Sequence, residues 1–112
     1  MARQRIYYKW ALPSTVVGLV NSICADYERR EKAIRCESVS ERVLEYFIYL
    51  NAIVDKALEE IEPGIRREIL RDISEHKGYY RSGCSVIMEK NSYYRRRRKL
   101  VHDIASMMNL IE

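Results

Sequence analysis

Asn91-Ser92-Tyr93-Tyr94-Arg95-Arg96-Arg97-Arg98-Lys99-Leu100, continued by Val101 and by Ile104-Ala105, is the stretch on which the reading of this chain turns. At about 100° per residue, Leu100, Ile104, Met108 and Ile111 form one apolar seam, so the spacing predicts an amphipathic helix. Tyr93 and Arg97 fall on that seam. Arg95, Arg98, Lys99, His102 and Ser106 fall on the opposite side, with Tyr94 and Arg96 at the two flanks. Arg97 is expected to run its stem inward and set its guanidinium against a carboxylate, because a buried charge is tolerated only when paired.

Five consecutive cations, 95 to 99, lie in the N-terminal half of this helix, where the helix dipole favours carboxylates. The compensating negative charge is therefore expected from another molecule. Nucleic acid is the polyanion that can meet arginines both with phosphates and with base edges. Asn91 or Ser92 is expected to cap the helix and to bond a phosphate as well. The candidate DNA-binding set is Asn91, Ser92, Tyr94, Arg95, Arg96, Arg98 and Lys99.

Upstream of the basic run, Gly78-Tyr79-Tyr80-Arg81-Ser82-Gly83 is rich in turn residues, and Cys84 to Met88 offers one or two helical turns before Lys90-Asn91-Ser92 breaks them. A short helix, a tight polar break and a longer basic helix is the order of a helix-turn-helix, whose second helix enters the major groove. Pro63 is expected in the first turn of a helix that buries Ile65, Ile69 and Ile73 and stops at Gly78.

Further back, Ser38-Val39-Ser40-Glu41 has the pattern of a capping box, followed by Val43, Phe47, Leu50, Val54, Ala57 and Ile61 at alternating steps of four and three. Pro13-Ser14 opens a helix expected to run to about Arg35 through Val16, Val20, Ile23, Tyr27 and Ile34. These two helices are expected to form an antiparallel hairpin joined near Cys36-Glu37. Trp10 is expected to pack onto the domain. The fold class is thus all-α in one domain, 1–112: an N-terminal hairpin, 14–61, for dimerisation or partner contact, and a C-terminal helix-turn-helix part, 63–112.

Composition agrees with that class. The chain has 112 residues, 47% hydrophobic and 32% charged, with only 4 Gly and 2 Pro, which argues for a folded helical protein. Charge is unevenly spread: 41–62 sets six carboxylates against Arg42 and Lys56, while 77–99 sets eight cations against Glu89. Cys24, Cys36 and Cys84 have no metal-binding spacing and are odd in number, so reduced thiols are expected and a metal or other cofactor is not. No apolar leader or membrane-length stretch is evident, so a cytoplasmic location is expected.

Ser92-Tyr93-Tyr94-Arg95-Arg96-Arg97-Arg98-Lys99-Leu100, running on through Ile104-Ala105 to Asn109-Leu110-Ile111, resembles the C-terminus of phage and prophage transcriptional regulators of the ArpU and RinA type. Those proteins are similar in that part to region 4 of bacterial sigma factors and are associated with activating phage late genes. The resemblance covers roughly 65–111. It implies that Ser92, Tyr94, Arg95 and Arg98 face DNA and that Leu100, Ile104 and Leu110 are structural. Between Gly78 and Met88 the chain departs from the pattern, because Tyr79 to Gly83 interrupt what would be an amphipathic scaffold helix.

The function expected is sequence-specific binding of double-stranded DNA in transcription regulation, with RNA polymerase or a second copy of the chain as further partners. The rival expectation is a helical protein-interaction module without DNA binding, in which the acidic helix self-associates and the basic helix docks on an acidic partner. RNA binding through Tyr79, Tyr80, Tyr93 and Tyr94 ranks lower, because adjacent tyrosines on a helix point in different directions. No phosphate-binding glycine loop and no nucleophile-base arrangement is present, so an enzyme is not expected.

Overall fold

Pro13 stands directly before the first helix, α1 (Ser14–Ala25), where its extended backbone lets its carbonyl accept from the amides of Val16 and Val17. The computed structural model describes residues 12–111, so Trp10 lies outside the described residues. The following elements are α2 (Tyr27–Cys36), α3 (Glu41–Leu58), α4 (Arg66–Ser74), two 3₁₀ turns at Tyr79–Arg81 and Gly83–Val86, and α5 (Lys90–Met107). No strand occurs among the described residues, and the fold is all-α.

The helix expected to run from Ser14 to Arg35 is two helices. Asp26 (φ −94°, ψ 4°) departs from helical geometry while keeping its amide bonded to the carbonyl of Ser22. Apolar spacing continues through this corner, so the periodicity does not mark it. What holds the corner is Arg30, whose side chain is almost wholly buried. Its Nε donates to Asn51 Oδ1 (2.6 Å) on α3 and its Nη2 to the carbonyl of Ile23 (2.6 Å) in the last turn of α1. Asn51 in turn donates to the carbonyl of Tyr27 (3.2 Å). One guanidinium thereby ties three helices together.

Helices α2 and α3 form the antiparallel pair. The Tyr27 hydroxyl near the start of α2 donates to Asp55 near the end of α3, while Arg29 and Arg30 reach back to Phe47 (5.2 Å from guanidinium to ring centre) and Asn51. Glu37, in the left-handed region (φ 48°), ends α2. The cap of α3 is Ser40, two residues past Ser38, and it accepts from the amide of Val43 (3.4 Å); with valine three residues on, it is a simple cap and the capping box read at Ser38 does not form. Pro63 to Ile65 form a turn ahead of α4, which starts at Arg66.

Packing does not follow the boundary expected at residue 62. Helix α1 lies on α4 and α5, whereas α2 lies on α3, and α3 also contacts α5. The hairpin is therefore 27–58, with α1 built into the other half. Val20, Ile23 and Cys24 of α1 join Leu50, Val54 and Ala57 of α3, Ile69 and Ile73 of α4, and Leu100 and Ile104 of α5 in one core. Among the described residues no helix is long and apolar enough to cross a membrane.

Candidate nucleic-acid interface

The break before the basic helix falls earlier than the sequence suggested. Lys90, Asn91 and Ser92 form the first turn of α5, and Glu89 occupies the cap position without a side-chain cap bond. Ser92 is therefore inside the helix, half-buried, and its carbonyl accepts from Arg96 Nη1 (3.1 Å). It is not the cap. Where one or two helical turns were expected over Cys84 to Met88, the chain makes a 3₁₀ turn at Gly83–Val86, preceded by another at Tyr79–Arg81, and the Tyr79 hydroxyl fastens the segment by donating to the carbonyl of Met88 (2.6 Å). Val86 and Ile87 stand exposed there. The described residues thus form no regular helix-turn-helix pair.

The cations of the basic run have separate fates. Arg97 does run inward, but its Nη1 donates to the carbonyl of Lys77 and to the Tyr93 hydroxyl (2.9 Å). Tyr93 is fully buried and donates to Asp72 Oδ2 (2.8 Å), so the guanidinium meets its carboxylate through a phenol. Burial and the bond to Asp72 push the Tyr93 hydroxyl up to about 12. Arg96 is held by Glu62, with Nη2 2.8 Å from Oε2, and this bond keeps the Glu62 carboxyl below its ordinary range. Lys99 bonds Asp103 Oδ2 (2.6 Å) one turn on. These two candidate contacts, Arg96 and Lys99, are engaged within the protein.

Tyr94 also turns out to be a support. Its hydroxyl accepts from the amide of Tyr79 (3.1 Å) and lies so close to Gly78 that a Cβ there would stand 2.9 Å from it. A side chain at 78 would push that hydroxyl away from the Tyr79 amide. The ring lies beneath Arg98, whose guanidinium is 5.7 Å from its centre. Tyr94 therefore positions Arg98 and does not itself reach outward.

Three candidates remain on the surface. Asn91, Arg95 and Arg98 are exposed, and their helix azimuths fall within about 60° of one another. Among the described residues, Arg95 and Arg98 have no carboxylate partner. The stripe offers one amide and two guanidinium forks in register, at i, i+4 and i+7.

Sequence reasoning missed Glu62 and Asp103. Asp103 was legible, since Lys99 and Asp103 are four apart on one helix. Glu62 and Arg96 are 34 positions apart, and no local pattern links them. Among the described residues no group of His, Cys, Asp and Glu side chains is placed to hold a metal ion. No protein-family model, curated protein or solved structure matches the chain.

Proposed function

We propose that the protein binds duplex DNA through α5, with Asn91, Arg95 and Arg98 turned into the major groove, and that it regulates transcription in the cytoplasm. One observation carries this reading: the outward side chains of Asn91, Arg95 and Arg98, with no carboxylate partner for the two arginines among the described residues, are the types that read base edges, aligned on a single stripe. Asparagine pairs bidentately with adenine and arginine with guanine. The rest of the helix is supported from below by Tyr93, Arg97, Leu100 and Ile104, so the stripe is held rigidly. The resemblance to phage regulators of the ArpU and RinA type supports the same role. The hairpin α2–α3 then serves a second copy of the chain or RNA polymerase.

Titration of labelled duplex DNA at several salt concentrations tests the proposal. Binding should weaken steeply with salt, and Arg95→Ala and Arg98→Ala should each cost about 1–3 kcal/mol and relax the base preference at the position that arginine reads. A flat salt response, or unchanged binding by the two variants, overturns the interface. Selection from random duplexes would report the operator.

A second reading rests on α3. Val43, Tyr46 and Tyr49 are exposed, and the two tyrosine rings stack 6.3 Å apart on a helix with a carboxylate-rich surface. Such a face suits a protein partner. A preparation at low salt free of nucleic-acid absorbance, with self-association lost in Tyr46→Ala/Tyr49→Ala, favours this module over the DNA reading.

A further inference from the structure

The groove between α1 and α5 shares Arg98 with the stripe described above but opens beside it. Its cavity volume is about 520 Å³, within the range of small-molecule sites. Val17 on α1 and Val101 on α5 face it as apolar walls, with the Asn21 amide beside them. Lys77, Arg97 and Arg98 line the same space, and among its described lining residues there is no carboxylate. Lys77 is answered by Glu75 (2.8 Å) outside the groove. Arg97 spends one nitrogen on the carbonyl of Lys77 and the Tyr93 hydroxyl, and Arg98 only overlies Tyr94. The groove therefore presents guanidinium donors above an apolar floor, with no anion among its described lining residues to satisfy them.

We propose that this groove binds a small apolar carboxylate, its anionic end on Arg97 and Arg98 and its hydrocarbon body between Val17 and Val101. A bidentate carboxylate matches the guanidinium fork, and Val17 and Val101 beside it suit an apolar body. Arg98 belongs both to the groove and to the exposed stripe of α5. A bound carboxylate thus withdraws Arg98 from a phosphate or base, so the ligand lowers DNA affinity; this consequence rests on the DNA reading, whereas the site itself does not.

The test uses the whole chain, labelled with ¹⁵N and titrated with 3-phenylpropionate. Saturable amide shifts are expected at Val17, Asn21, Gly78 and Val101, and none with the neutral 3-phenylpropionamide. Asn21→Glu, which places a carboxylate on the wall, and Val17→Phe, which fills the space without charge, should both weaken the shifts, while Arg95→Ala should leave them. Saturating 3-phenylpropionate should weaken duplex binding by about threefold or more, the scale of losing one cationic contact. Absent or scattered shifts overturn the site, and unchanged DNA affinity with the shifts intact overturns the control of DNA binding. Intact shifts in a protein that binds no DNA support the site and overturn the regulator reading alone.

Discussion

The Tyr93 hydroxyl donates to Asp72 Oδ2 at 2.8 Å, and both side chains are wholly shielded from solvent. Oδ1 of Asp72 has no hydrogen-bond partner among the described residues, so the phenol is the side-chain donor on which this buried carboxyl depends. Arg97 bonds the same phenol oxygen from the other side. The basic helix is thereby fastened to α4 through a polar link inside the core.

Replacing Tyr93 with Phe should cost about 3 kcal/mol, because it leaves a buried carboxyl without its donor. The double variant Tyr93→Phe/Asp72→Leu should recover much of that loss, since removing both partners leaves no orphan. Urea unfolding of the two variants checks this. Equal destabilisation in both would show that the link contributes shape alone.

Glu62 competes with any external anion for Arg96. Glu62→Gln should leave stability within about 1 kcal/mol, the usual worth of an exposed ion pair. If α5 binds DNA, the freed guanidinium should tighten binding and steepen the salt slope by up to about one unit. The two effects are read by thermal melting and by DNA titration.

Alkali should destabilise the fold before acid chemistry becomes relevant. Burial raises the Cys24 thiol from 9.0 to about 12, and Tyr93 rises from 10.0 to about 12; the Tyr27 hydroxyl also moves up, through burial and Asp55. In each case the folded state holds the proton more tightly than the unfolded chain. The resulting stability is complete below the unfolded values and is lost as pH rises toward 12. Melting temperatures should fall from about pH 9 upward, and Cys24→Ala should delay the onset to about pH 10. A melting temperature constant to pH 11 would contradict this assignment.

Arg30→Met should cost about 3 kcal/mol or more, because the Ile23 carbonyl and the Asn51 amide oxygen lose a buried donor together. Arg30→Lys should recover only part, since one ammonium lacks the planar fork that reaches both acceptors. Denaturant midpoints of the two variants provide the comparison.

The helical class was legible because the apolar steps of α3 and α5 recur with helical period, and Leu50, Val54, Ala57, Leu100 and Ile104 are indeed buried. The corner at Asp26 was not, since Val20, Ile23 and Tyr27 keep the same period across it. The cap at Ser92 was misread because Glu89 begins α5 with no side-chain bond to mark the position. On the candidate interface, helix geometry sorted Tyr93 and Arg97 inward, and Arg95 and Arg98 outward. It could not show that Arg96 finds Glu62, or that Tyr94 finds the Tyr79 amide, because both depend on how distant segments come together.

The corner at Asp26 also decides how the molecule comes apart. Residues 14 to 25 sit among the last helices made, while the segment immediately after them returns to the hairpin. Neither half can loosen without pulling on the other through the same few peptide units. Heating should therefore yield a single concerted melting transition, and a fragment cut at the turn near Pro63 would lack a wall of its own interior.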